Sequence, residues 1–133
     1  MLRQDVELGS RLIPFSEGWE RQRAVHAEVV AGRRPSTLLL MEHEPVYTVG
    51  RRTHTWERPD GDVVEPGHVP VIDVDRGGKT TWHGPGQLTV YPILRLTQPI
   101  DVIRYVRALE AAVIELCGLY GLETIRVEGR SGV

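Results

Sequence analysis

Cysteine is almost absent from this chain, since Cys117 is the only one among 133 residues. One cysteine excludes an internal disulfide, and the N-terminus MLRQDVELGSRLIP has no apolar core of signal-peptide length. No apolar run approaches the roughly 20 residues that a membrane-spanning helix needs. These absences predict a cytoplasmic protein. The formal charge of −2 shows no basic excess, so nucleic-acid binding is not expected. No histidines or acids have the spacing of metal ligands, so no metal site is predicted.

The length of the chain predicts a single domain spanning residues 1–133, since domains of about 100–150 residues are the commonest. Apolar spacing and capping residues predict two helices in it. The first covers residues 16–31, with Ser16 as its N-cap. The second covers residues 100–120, with Asp101 as its N-cap and Gly121 at its C-terminal end.

Short apolar or alternating runs predict five strands, at residues 37–41, 46–49, 71–74, 88–96 and 123–127. Pro92 indicates an edge or a bulge in the fourth of these strands. The polar stretch 51–70 predicts one long surface loop. Because the strands outnumber the helices and do not alternate regularly with them, the pattern predicts an α+β domain, in which a mixed sheet carries flanking helices on one side.

The densest cluster of reactive side chains is the glycine-rich segment Arg76–Gln87, RGGKTTWHGPGQ. Glycine lets a backbone approach a ligand closely, so a bend here could present N–H groups to a carbonyl or a phosphate. His83 could donate to the same oxygen or shuttle a proton. On composition alone, an ordinary turn between strands is an equally good reading. The spacing is neither GxGxxG nor that of a phosphate loop, so nucleotide binding is not indicated.

Two separated blocks of the sequence resemble one family. The string DRGGKTTWHGPGQL, which contains the glycine-rich segment, resembles the signature of the lipoyl(octanoyl) transferases almost letter for letter. The upstream string MEHEPVYTVGRRT resembles a second block of the same family, and the long helix and the ending RVEGRSGV also fit. The resemblance runs from about Thr37 to Val133.

The resemblance implies a fold like the catalytic domain of the biotin and lipoate protein ligases, here incomplete. It implies transfer of an octanoyl group from acyl carrier protein to a lysine of a lipoyl domain. The acceptors would be the lipoyl domains of 2-oxoacid dehydrogenase complexes or the glycine cleavage H protein. No ATP or other cofactor is expected, because the acyl group arrives already activated as a thioester. The residues that match the family's acyl-substrate pocket are Arg76, Gly77, Gly78, Lys79, Thr80, Thr81, Trp82 and His83.

The resemblance also implies that the catalytic pair of the family is not in this chain. That family acts through a cysteine nucleophile paired with a lysine, and both would lie beyond the position of Val133. Cys117 lies in the last turns of the predicted long helix, where a buried, inert cysteine is expected rather than a reactive thiolate. We therefore expect an N-terminal fragment that carries much of the substrate pocket and leaves apolar surface uncovered, which favours association.

Two alternatives to an acyltransferase scaffold remain open from the sequence. The chain could be a non-catalytic piece that binds an acyl chain or a carrier protein. It could also be a lipoate ligase, for which ATP binding would be the evidence.

Three further residues allow two interpretations each. His43 in MEHEP could reach the pocket or could be a locally bonded turn histidine. Arg51 and Arg52 could meet the acidic face of a carrier protein or could be a solvated pair.

The resemblance further implies that Gly77, Gly78 and His83 help to hold the acyl carbonyl.

Overall fold

The predicted strand at residues 37–41 is the central strand of a three-stranded sheet in the computed structural model, which describes all 133 residues. This strand, β2 (Thr37–Met41), runs parallel to β1 (Leu2–Asp5) and antiparallel to β7 (Thr89–Ile93). Its burial alternates along the strand, so that Thr37, Leu39 and Met41 point into the core. Pro92 lies on β7, which pairs with β2 alone, so the expectation of an edge strand is confirmed.

A second sheet contains four strands in the order β4, β5, β3, β6. Its central strand β3 (Val46–Val49) runs parallel to β5 (Val69–Asp73) and antiparallel to β6 (Thr80–His83), and the two-residue β4 (Val63–Val64) pairs with β5. Parallel and antiparallel pairs occur in both sheets, which confirms the expected mixed α+β class. The chain forms two sheets where one was expected, because β2 and β3, on either side of Glu44-Pro45, take different partners.

The first helix, α1 (Phe15–Val30), packs against β2 and β7. It begins one residue before the predicted start, and Ser16 is not its cap. Pro14 takes the N-cap position without a side-chain hydrogen bond, and its carbonyl accepts the first helical bond from Gly18. The core beneath α1 is a single cluster of Val6, Ile13, Val25, Val29, Leu39 and Met41.

The chain divides into two compact units, Met1–Arg95 and Leu96–Val133, so both sheets and α1 belong to the first unit. The second unit contains α2 (Val102–Leu119), whose N-cap Asp101 accepts from the amide of Arg104 as expected. Gly121 follows the C-cap with a φ of +73°, and the amides of Gly121 and Leu122 close the end on the carbonyls of Gly118 and Cys117. Neither helix is both long and apolar enough to cross a bilayer.

Two elements differ from the sequence-based expectation. The predicted strand at residues 123–127 is irregular, because Arg126 binds Glu110 and the carbonyl of Arg107 on α2 and no neighbouring strand pairs with this segment. The predicted loop 51–70 holds a short 3₁₀ helix (Thr55–Glu57), strand β4 and the first two residues of β5, which begins before the predicted strand at 71–74. The structure also adds β1 and β6, which the sequence patterns did not predict.

Candidate functional site

An aromatic-walled cavity of about 300 Å³ opens within the first unit, between α1, the segment after β5, and strands β6 and β7. Its lining residues are Phe15, Trp19, Gln22, Val74, Asp75, Arg76, Thr81, His83 and Tyr91. The walls are mainly apolar, with a few polar groups among them, and the volume lies at the lower end of the roughly 300–1,000 Å³ typical of small-molecule sites.

One face of α1 forms the first wall of the cavity. Phe15, Trp19 and Gln22 follow each other at spacings of four and three residues, which places them on the same side of a helix. The Phe15 and Trp19 rings lie 5.9 Å apart, and Arg23 covers the outer face of Trp19 at 4.7 Å. These residues were not singled out in the sequence, although their spacing was the signal that could have revealed them.

Strand β6 forms the second wall, and its pleat decides which of its side chains line the cavity. Thr81 and His83 are two residues apart and share one face, while Thr80 and Trp82 fall on the other. The strand exists because it pairs with β3, where Thr81 lies opposite Thr48 and His83 opposite Val46. The sequence of this segment alone predicts only part of a glycine-rich turn.

Arg76 lines the cavity and also holds the glycine-rich segment in place. Its guanidinium donates to the carbonyl and hydroxyl oxygens of Thr48 at 2.9 and 2.7 Å. It also donates to the carbonyls of Gly77 and Lys79, each at 2.9 Å. Burial lowers the pKa of this guanidinium from its ordinary value. Since both terminal nitrogens donate to protein oxygens, the arginine ties β3 to the segment that leads into β6.

Glycine at position 50 makes this close packing possible. A Cβ on Gly50 would lie 2.5 Å from the Gly78 carbonyl oxygen and 2.9 Å from that of Gly77. The amide of Arg52 donates to the Gly78 carbonyl at 3.0 Å, and Gly78 itself has a φ of +84°. The two glycines thus turn their carbonyls toward the protein, and neither residue lines the cavity.

Three other residues of the glycine-rich segment lie outside the cavity lining. Lys79 forms an ion pair with Glu57, and the hydroxyl of Thr80 donates to the Glu57 carbonyl. The side chain of Trp82 is 40% exposed and packs against Gly84, where a Cβ would overlap its ring. The segment therefore supplies Arg76, Thr81 and His83 to the cavity, and its other members support the loop around them.

Three neighbouring side chains surround the imidazole of His83. Its Nδ1 lies 2.7 Å from Oε1 of Gln87, and Phe15 stacks nearly parallel to its ring with a centroid distance of 6.4 Å. The His43 ring lies 5.7 Å away. The orientation of the imidazole is thus determined by contacts on three sides.

His43 is fully buried behind this wall and is not a locally bonded turn histidine. Its Nδ1 lies 2.9 Å from the Ile13 carbonyl, and its Nε2 lies 2.7 Å from the Tyr91 hydroxyl. Burial lowers the pKa of His43 and raises the pKa of Tyr91 to about 12. Both groups are therefore held neutral, with Tyr91 donating its hydroxyl proton to His43 and placing its ring in the cavity wall.

The remaining residues considered from the sequence are not among those that line the cavity. Cys117 is on α2 in the second unit and is half-buried where full burial was expected. Arg51 and Arg52 are exposed and form no ion pair. No group of three histidine, cysteine or acidic side chains is arranged to hold a metal ion.

Solved structures with a similar fold are described as lipoate ligases. The chain superposes on one from T. acidophilum with bound lipoic acid at a TM-score of 0.61 and 16% identity, covering 96% of this chain and 51% of that one. A bi-partite lipoate protein ligase and its E2 lipoyl domain from Thermoplasma acidophilum gives a TM-score of 0.55 at 20% identity, over 96% and 47%. At such identities the likeness defines the fold class, that of the lipoate protein ligases.

Sequence relatives define the family. Residues 14–133 match the lipoyl protein ligase A/B catalytic domain. The chain is 58% identical over 126 residues to an octanoyltransferase of Thermobifida fusca, covering 95% of this chain and 52% of that protein. It is 56% identical to an octanoyltransferase of Streptomyces coelicolor, covering 94% and 45%. The chain belongs to the lipoyl protein ligase A/B catalytic domain family, and it spans about half the length of these relatives.

Proposed function

We propose that this chain carries the acyl-substrate pocket of an octanoyltransferase, which moves an octanoyl group from acyl carrier protein to a lysine of a lipoyl domain. The observation that carries the proposal is the apolar cavity, whose walls include Arg76, Thr81 and His83 from the segment that resembles the family signature. The sequence relatives are named octanoyltransferases, which indicates octanoyl as the acyl group. The single cysteine fits a reducing, cytoplasmic setting.

The cavity suits the hydrocarbon part of such a substrate. Phe15, Trp19 and Tyr91 offer aromatic surface to an acyl chain, and Thr81 and His83 place polar groups at the same wall. A structural neighbour described as a lipoate ligase holds lipoic acid, which is an eight-carbon acid like octanoate. Another was solved as a lipoylation system with its E2 lipoyl domain, which supports a lipoyl domain as acceptor.

A cavity-filling pair of variants tests the acyl pocket. Thr81→Phe places a ring in the cavity, while Thr80→Phe places the same ring on the opposite face of β6. Octanoyl-pantetheine binding to the 133-residue chain is measured by calorimetry. We expect Thr81→Phe to weaken binding roughly tenfold or more, about 1.4 kcal/mol, and Thr80→Phe to leave it nearly unchanged. Equal affinities for the two variants and the original chain would contradict the pocket assignment.

The chemistry of transfer is a separate proposal from binding. In the family mechanism a cysteine thiolate displaces the carrier thiol from the acyl carbon, and the lysine amine then displaces the cysteine. No cysteine is among the residues that line the cavity. A thioester-transfer assay with the 133-residue chain is therefore expected to show binding of the acyl donor without turnover. Turnover comparable with that of an intact octanoyltransferase would show that another nucleophile serves.

Carrier-protein docking is proposed for Arg51 and Arg52, whose exposed cations would attract an acidic surface. Replacing both by glutamate should slow association with octanoyl-acyl carrier protein, measured by stopped-flow fluorescence at low salt. The matched control reverses Arg33 and Arg130, which are also exposed. Equal association rates for the two double variants would favour a solvated arginine pair.

A further inference from the structure

A tight turn brings Gln87 back beside His83. The amide of Gln87 donates to the Gly84 carbonyl at 3.1 Å, with Pro85 and Gly86 between them. Gly86 has a φ of +80°, and proline followed by such a glycine is the signature of a type II turn. A carboxylate oxygen of Glu42 on the neighbouring segment accepts from the Gly86 amide at 3.1 Å and anchors the turn. The turn therefore fixes the backbone position from which the Gln87 side chain extends toward His83.

The orientation of the Gln87 amide group follows from its second partner. Its Nε2 donates to the carbonyl of Trp82 at 3.2 Å, and its Oε1 faces Nδ1 of His83 at 2.7 Å. Turning the amide over would place Oε1 against the Trp82 carbonyl, so that two acceptors would face each other. The network thus selects the orientation in which the oxygen points to the imidazole.

An amide oxygen only accepts hydrogen bonds, so the Nδ1 of His83 must carry the hydrogen. In the neutral ring this leaves Nε2 without a proton and with a lone pair. His83 lines the cavity, and its Nε2 has no hydrogen-bond partner within the protein. The cavity consequently contains an imidazole that accepts a hydrogen bond and, while neutral, does not donate one.

We infer that Gln87 is a positioning residue that holds His83 as the Nδ1–H tautomer, so that Nε2 serves the site as a hydrogen-bond acceptor. This decides between the two roles that the sequence left open for His83. A neutral ring of this tautomer cannot donate to an acyl carbonyl, whereas it can accept from an N–H donor. Resting on the proposed function, the inference assigns the Nε2 of His83 to a hydrogen-bond donor of the substrates and not to the acyl oxygen.

His43 supplies an internal reference for a test of this inference. Its Nδ1 lies 2.9 Å from a backbone carbonyl and its Nε2 beside the Tyr91 hydroxyl, so it too is predicted to be the Nδ1–H tautomer. Its tautomer depends on Ile13 and Tyr91 and not on Gln87. A change at Gln87 should therefore move the signals of His83 and leave those of His43 in place.

The experiment is ¹⁵N NMR of the imidazole nitrogens in the 133-residue chain without ligand, above pH 8, where histidine is ordinarily neutral. His83→Asn assigns the His83 signals. We expect the Nδ1–H form of His83 in the original chain and in Gln87→Glu, which keeps an acceptor oxygen. Gln87→Leu removes the acceptor, so its His83 should shift to a mixture with a majority of the Nε2–H form.

The inference is overturned if His83 is Nε2–H in the original chain, or if Gln87→Leu leaves its tautomer unchanged while His43 reports an intact fold. If Gln87→Leu does not fold, the original chain and Gln87→Glu still test the inference, since His83 must be the Nδ1–H tautomer in both. Because no acyl ligand is present, this result is independent of octanoyl-pantetheine binding. A confirmed tautomer without acyl binding would refute the proposed function alone.

Discussion

His43 shows how a single buried residue connects the core to the site. Its ring contacts Phe15 and His83, which line the cavity, and it accepts a hydrogen bond from Tyr91, which lines it too. Both of its ring nitrogens have partners, so a neutral ring is fully satisfied there. Protonation would place a second hydrogen on Nε2, against a hydroxyl that is already donating.

The stability of the fold should therefore decrease when His43 becomes charged. Burial holds its pKa in the folded state below the value of about 6.5 expected for the unfolded chain. The unfolded state thus binds more protons at His43 between these two pKa values, so the contribution of the neutral ring to stability is fully present above pH 6.5 and is lost as the pH falls toward the folded-state pKa. Urea unfolding at pH 7.5 and pH 5 measures this loss.

A His43→Gln variant is the control, because glutamine can hydrogen-bond but does not titrate. The exposed histidines remain in both proteins and cancel from the comparison. We expect a smaller loss of unfolding free energy between the two pH values in the variant. An equal loss in both proteins would show that His43 does not contribute to acid sensitivity.

Two helical glycines show that the same residue type has opposite roles in α1 and α2. A Cβ on Gly18 would lie 2.6 Å from Cε1 of His43 and 3.0 Å from the sulfur of Met41. Gly118 has no atom within 4 Å of the corresponding position. The first glycine is needed for α1 to approach β2 closely, and the second is not required by packing.

Alanine substitutions at these two positions should consequently change stability in opposite directions. Gly118→Ala should stabilise the chain by about 0.5–1 kcal/mol, since alanine favours helices over glycine by that amount. Gly18→Ala should destabilise it by roughly 1–3 kcal/mol, as overpacking in a core does. Denaturant unfolding of both variants measures the two effects. Stabilisation by Gly18→Ala would mean that His43 can move aside freely.

Helix α2 presents its apolar side chains to solvent, while the one residue that it buries is charged. Glu110 accepts from Arg107 and Arg126 at 2.7 and 3.0 Å, and from the amide of Gly132 at 3.2 Å. The hydrogen bond from Arg107, helped by the Gly132 amide and Arg126, lowers the pKa of this carboxyl. The predicted apolar stripe of α2 is correct as a sequence pattern, but most of it is not buried.

At the scale of the whole molecule, exposed apolar surface is concentrated in the second unit. Ile103 and Leu119 are 76% and 79% exposed, as is Ile125 at 75%. Exposed apolar side chains at this density favour association. The sedimentation coefficient of the chain is therefore expected to rise with concentration.

Polar substitution tests that expectation. Ile103→Gln together with Leu119→Gln should reduce the concentration dependence, whereas Val30→Gln, at an isolated exposed position in the first unit, should not. A sedimentation coefficient that stays at the monomer value over a hundredfold concentration range would contradict the expectation.

Local interactions explain why much of the fold could be predicted. The two helices, the Asp101 cap, the Gly121 ending and the strands at 37–41 and 46–49 depend on residues within a few positions of each other. The family resemblance was likewise contained in two contiguous strings, and the relatives confirm it. These features are properties of short stretches of chain, so the sequence by itself determined them.

Tertiary structure alone decided the rest. Strand β6 forms because β3 lies beside it, and the segment 123–127 is irregular because no strand does. The cavity joins α1, β6 and β7, and the partners of His43 are 30 and 48 residues away. Such pairings depend on which surfaces meet after the chain has folded. The spacing of residues along the sequence does not predict which surfaces meet, because the contacts that create the site join residues from distant parts of the chain.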